Sequence, residues 1–155
     1  MGLEIISYIW LAVIIVIGFF IIRASFKLNE KNYPLEEGEK ILYEESNIKL
    51  LMIGNETEKY IRLRLRITDK RIYVFSRGRY LVVLIYLDPI SPENARDEFK
   101  GVLHIPRSAF GVEHDMKHSR DVLTAERKNF LGLSIHYTFI LSGVQEAAKA
   151  LGIKV

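Results

Sequence analysis

The chain contains no cysteine, and that single absence excludes a disulfide framework, a thiolate metal site and a cysteine nucleophile. A strong charge imbalance is missing too. Twenty-two Lys and Arg stand against 19 Asp and Glu, a net of +3, which is a weak footprint for nucleic acid. No Gly-rich phosphate loop, nucleophile elbow or acid–base constellation occurs. We therefore expect no enzyme, no catalytic residue, no cofactor and no nucleic-acid partner. Repeats and low-complexity tracts are also absent.

What is present begins near the N-terminus. Residues 5–22 read IISYIWLAVIIVIGFFII, 18 residues without a charge, inside the roughly 17–25 needed to cross a hydrocarbon core of about 30 Å. A cleaved signal peptide would want a basic start and a small-residue cleavage site; here Glu4 is the only charge before the run. Myristoylation of Gly2 would want Ser or Thr where Ile6 stands. The expectation is a retained transmembrane helix over residues 1–22. Arg23, Lys27 and Lys31 follow the run and no Lys or Arg precedes it, which favours a cytoplasmic C-terminal side. The protein is thus expected in the cell membrane as a single-pass chain, N-terminus outside. Residues 23–36 form a polar linker, and residues 37–155 fit one domain of common size.

That domain looks like strands. Residues 40–44 and 48–53 are short apolar runs, and residues 54–58 are a turn cluster. Residues 60–68 alternate, with Ile61, Leu63, Leu65 and Ile67 on one face and Arg62, Arg64 and Arg66 on the other, the pattern of a half-buried antiparallel strand. Asp69-Lys70 turns into residues 71–76, an obvious hairpin. A third strand covers residues 80–87, a long loop residues 88–101, and further strand-like runs residues 102–105, 109–114, 122–126 and 131–141. One short helix closes the chain. Ser142 and Gln145 have capping-box spacing, Val144, Ala147, Ala148 and Leu151 make an apolar stripe, and Gly152 is a natural stop.

Strands followed by one C-terminal helix, in this order, resemble the pleckstrin-homology superfold. More specifically, Gly38-Glu39-Lys40-Ile41-Leu42-Tyr43 and then Leu65-Arg66-Ile67-Thr68-Asp69-Lys70-Arg71-Ile72-Tyr73-Val74-Phe75 are similar to the GRAM and bacterial PH-like pattern. Ile105-Pro106-Arg107-Ser108-Ala109-Phe110 is similar to the opening of that family's second sheet. The resemblance implies an open barrel of about seven antiparallel strands capped by the helix, behind the membrane span. An α+β domain with the helix on an open sheet is the alternative.

The arginine ladder is the most pointed candidate site. A two-residue turn pairs Arg66 with Tyr73 and Arg64 with Phe75. Clustered guanidinia can hold phosphate bidentately, and the resemblance implies phosphoinositide-type contacts from Lys49 and then Arg62 and Arg64. The candidate ligand-binding set for an anionic headgroup or acidic partner is Lys49, Arg62, Arg64, Arg66 and Tyr73. Against it, Glu56 and Glu58 sit in the intervening loop, and the arginine stems could simply cover Tyr73 and Phe75 on a solvated face. His114, Asp115 and His118 lack further ligands at recognisable spacing, so no metal is expected. The functional expectation is a non-enzymatic, membrane-anchored binding or scaffold protein engaging a membrane protein. Anionic phospholipid binding is the alternative, and homo-oligomerisation through open strand edges a further possibility.

Overall fold

Leu63, Leu65 and Ile67 do face inward, buried on a strand running Thr57–Thr68. Around it the computed structural model describes residues 8–18, 28–54, 56–78, 80–90, 101–129 and 131–154. In chain order these give a helix α1 (residues 8–18), then β1 (Leu28–Asn29), β2 (Ile41–Ile53), β3 (Thr57–Thr68), β4 (Arg71–Phe75) and β5 (Tyr80–Tyr86). β6 (Val102–His104), β7 (Phe110–Asp115), β8 (Arg120–Lys128), β9 (Ser134–Ile140) and α2 (Val144–Ala150) follow. The strands form one nine-stranded sheet in the order β1-β5-β4-β3-β2-β9-β8-β7, with β6 beside β5. All pairings are antiparallel except β5 with β6.

The expected architecture of a transmembrane helix followed by a seven-stranded PH-like barrel is corrected on both counts. There are nine strands in one mostly antiparallel sheet, two of them short additions at the β5 side. α1 is described over eleven residues, about 16 Å at 1.5 Å per residue, against a core of about 30 Å. Among the described residues, no helix is long and apolar enough to cross a membrane. The span, and with it the single-pass cell-membrane placement, loses its support. The rest of that run, residues 5–7 and 19–22, lies outside the described residues, as does residues 91–100 of the expected long loop.

Three register shifts interrupt the pairing of β2 with β3, two of them flanking Ile48. The runs expected at residues 40–44 and 48–53 fall, from Ile41 on, in one 13-residue strand with a register shift around Asn47. Asn47 and Arg62 both take left-handed φ, +66° and +56°, and the β2/β3 register shifts around them. Ile61 is turned outward, 54% exposed, because an inserted residue flips the side-chain parity. Beyond the bulge Ile48 and Leu50 face the core while Lys49 is exposed.

Two apolar layers result. The main core lies inside the curled sheet, under α2, whose Val144, Ala147, Ala148 and Leu151 are buried as the stripe predicts. That seven-residue helix is about 10 Å long, yet it touches β2, β3, β7 and β8. Strands lie about 4.8 Å apart, so only a strongly curled sheet brings β3 and β7 to one short helix. The second layer covers the outer face of β4 and β5, where Leu28, Tyr73, Phe75, Leu81, Leu84 and Val102 pack together. Consequently all five residues of β4 are buried. Residues 28–36, expected within a polar linker, lie on this face instead, with Leu28 opposite Leu81 in β5.

Helix α2 is not capped by the expected box. Its N-cap is Gly143, without a side-chain cap bond. Glu45 reaches over from β2 and accepts the Ser142 amide at 2.8 Å, the Ser142 hydroxyl at 2.7 Å and the Gly143 amide at 3.2 Å. Burial alone would push the Glu45 carboxyl up, but these donors and the Tyr43 hydroxyl outweigh it and hold it below the usual range.

Candidate functional site

The hairpin register is the one the turn dictates: Arg64 sits opposite Phe75 and Arg66 opposite Tyr73. The Arg64 guanidinium lies 4.4 Å from the centre of the Phe75 ring and that of Arg66 5.2 Å from it. Carboxylates from the chain itself complete the arrangement. Arg66 Nη1 donates to Glu30 at 2.9 Å, and Glu44 lies 3.5 Å from Arg64 and 3.6 Å from Arg66. Glu30 comes from the segment that crosses the outer face, directly after β1. The repulsion expected of the arginine ladder is thus offset from within.

The candidate set is split by this geometry. Arg64 and Arg66 come together over Phe75, whereas Arg62 stands at the bulge and makes no comparable contact among the described residues. Tyr73 is fully buried, stacked on Phe75 with centroids 5.8 Å apart, and its hydroxyl has no hydrogen-bond partner among the described residues. Burial pushes that phenol well above its ordinary value. Lys49 lines a different depression.

The residues that carried the family resemblance form an internal clamp. Glu39 accepts Arg71 Nε at 3.2 Å and the Thr68 hydroxyl at 2.5 Å, and it also pairs with Arg71 Nη2. Arg71 Nη2 donates to the Pro34 carbonyl at 2.8 Å, and its guanidinium lies over Tyr73 and Tyr86. The Glu39 side chain is 0% exposed and that of Arg71 3%. Burial would raise the Glu39 carboxyl, but the bonds from Arg71 and Thr68 win and lower it. Such a pair fixes the incoming segment to the β3–β4 turn rather than meeting a ligand.

At the β7–β8 tip, His118 Nδ1 donates to Asp115 at 2.7 Å and His114 Nδ1 to Asp121 at 2.9 Å. An ionised carboxylate has no proton to give, so the imidazole must be the donor. The bond from His118 holds the Asp115 carboxyl below the usual range. Among the described residues no group of three or more His, Asp or Glu could hold a metal ion.

Beside this tip lies a trough of about 450 Å³ on the outer face of β2, β9, β8 and β7. Alternation builds it. Leu50, Leu123, Tyr137 and Phe139 face the core, so Leu51, Val122 and Ile140 floor the opposite side. Lys49 is in register with Ile140, and Leu51 with both Thr138 and Lys59. Sequence reading named Lys49 but missed Lys59, Arg120 and this floor. Lys59 was within reach: a hairpin that pairs Ile53 with Thr57 places residue 59 against Leu51.

The rim is unevenly satisfied. Glu113 accepts the Thr124 hydroxyl at 3.1 Å, Asp115 the Lys117 amide at 3.1 Å as well as His118, and Asp121 the Gln145 amide at 3.4 Å as well as His114. Neither Lys49 nor Lys59 has a carboxylate within 4.0 Å among the described residues. Arg120 Nε is buried without a hydrogen-bond partner, 3.8 Å from Asp115. The trough therefore offers an apolar floor and unmet donors, with its acceptors already engaged. No family model matches this chain, and no curated protein matches it.

Proposed function

We propose that the protein is a non-enzymatic binding module whose trough over β2, β9 and β8 takes an acidic segment of a partner protein. One observation carries this reading: Lys49 and Lys59 flank the apolar floor of Leu51 and Ile140 with no carboxylate of the described residues within 4.0 Å. An apolar anchor on the floor supplies contact area, while charge at its edge sets orientation and partner choice. The GRAM-like residues Glu39, Thr68 and Arg71 enter as the clamp that stiffens the sheet, not as ligand contacts. The arginine face is a poorer candidate on this reading, because Glu30 and Glu44 already occupy it.

The test is binding of the full chain to a labelled heptapeptide, Leu-Thr-Leu-Glu-Leu-Thr-Leu, followed by fluorescence anisotropy. Reversing both charges with Lys49→Glu and Lys59→Glu is expected to weaken binding at least about tenfold, near 1.4 kcal/mol. Arg64→Ala should leave it unchanged. Loss of binding on Arg64→Ala with the lysine variants unaffected would contradict the proposal.

A further inference from the structure

We infer, building on the trough proposed above, that the acidic group it takes is a phosphate monoester carried on a side chain of the partner segment. Lys59 lies directly across from Leu51, and Lys49 lies two residues from Leu51 on the same face. The two lysines are therefore diagonal neighbours on adjacent strands, about 7–8 Å apart at the backbone and within reach for long side chains. Like charges so placed repel, and no carboxylate of the described residues lies within 4.0 Å of either. A ligand carboxylate would bring one charge and two oxygens. A phosphate monoester brings close to two charges at pH 7 and three strong acceptor oxygens, matching two ammonium groups and leaving an acceptor for a third donor. Arg120 Nε lines the same trough, makes no hydrogen bond among the described residues and faces Asp115 at 3.8 Å; it is that third donor.

The neighbouring carboxylates lie more than 4.0 Å from both lysines among the described residues, and each holds another donor. Glu113 takes Thr124, Asp115 takes His118, Asp121 takes His114, and Glu45 takes Ser142. The floor decides the carrier. Leu51, Val122 and Ile140 run across three successive strands, which suits an extended peptide with apolar residues either side of the phosphorylated one.

The test compares the full chain with three heptapeptides, Leu-Thr-Leu-X-Leu-Thr-Leu, where X is phosphoserine, glutamate or serine. A parallel arm measures recovery on phosphatidylcholine vesicles with and without phosphatidylserine. The phosphoserine peptide is expected to bind about tenfold or more tightly than the glutamate peptide, since each added charge-assisted bond is a large increment. Lys49→Gln with Lys59→Gln should erase that preference while leaving the melting temperature in place, both side chains being exposed. Equal binding of the phosphoserine and glutamate peptides would overturn this inference and leave the acidic-segment reading standing. So would a phosphoserine preference that survives in the double variant. A Lys49- and Lys59-dependent gain on anionic vesicles, without peptide discrimination, would make the headgroup the source and overturn it as well. Failure of all three peptides to bind would overturn both proposals.

Discussion

Replacing Glu39 by glutamine should unfold much of what the clamp holds. The substitution keeps the shape and removes the charge, leaving the Arg71 guanidinium 3% exposed with Glu36, 4.0 Å away, as its one carboxylate neighbour among the described residues. Removing one partner of a buried pair costs about 3–5 kcal/mol. The glutamine carbonyl still accepts one bond from Arg71 or Thr68, so we expect the low end, about 3 kcal/mol. With a urea slope of about 2 kcal/mol per molar for a domain of this size, the midpoint falls by about 1.5 M. Acid should act the same way. The Glu39 carboxyl is lowered in the folded protein from its ordinary 4.5, so its contribution is complete above that value and is lost as pH falls through the depressed one. Glu39→Gln should flatten that acid limb. Removing both charges, with Glu39→Leu and Arg71→Met, should cost less than the two single losses added together. A midpoint shift under about 0.5 M for Glu39→Gln would place the pair with ordinary surface ion pairs and refute the reasoning.

Three further outcomes follow from the same geometry. Glu45→Ala removes the acceptor of the Ser142 and Gly143 amides and should cost about 1–2 kcal/mol in thermal unfolding, whereas Gln145→Ala, outside any cap, should stay within about 0.5 kcal/mol. Leu28→Ala opens the outer layer where Leu28 is 4% exposed and should cost about 2–5 kcal/mol by chemical denaturation; a neutral result would mean β1 does not pack there. Gly101→Ala places a Cβ 2.7 Å from the Val82 carbonyl at φ +90°, a strain of about 1–3 kcal/mol. Its signature is faster hydrogen exchange at the Leu84 amide, which donates to the Gly101 carbonyl at 2.9 Å.

Legibility followed how local the signal was. The pairing of Arg64 with Phe75 was readable because a two-residue turn leaves one register open, and the α2 stripe because four apolar positions recur at helical spacing. Features set by distant partners were not. Glu45 displaces the Ser142–Gln145 box from 97 residues away, and no spacing rule reports that. β6 pairs in parallel with β5 across the long loop, and β1 is only two residues, too short for periodicity. The bulge at Asn47 and Arg62 broke an alternation that looked clean. One missed signal was local: after Arg71, β4 reads IYVF without a charged alternate, which is how a strand buried on both faces reads. For the apolar run at residues 5–22, composition alone did not establish a span: among the described residues no helix is long and apolar enough to cross a membrane.

Backbone amide shift mapping of the full chain during titration with the phosphoserine heptapeptide tests the central claim most directly. The account predicts that the largest changes fall on Leu51, Lys59, Thr138 and Ile140, with Arg64 and Phe75 unmoved. Changes centred on Arg64, Arg66 and Phe75 would contradict it.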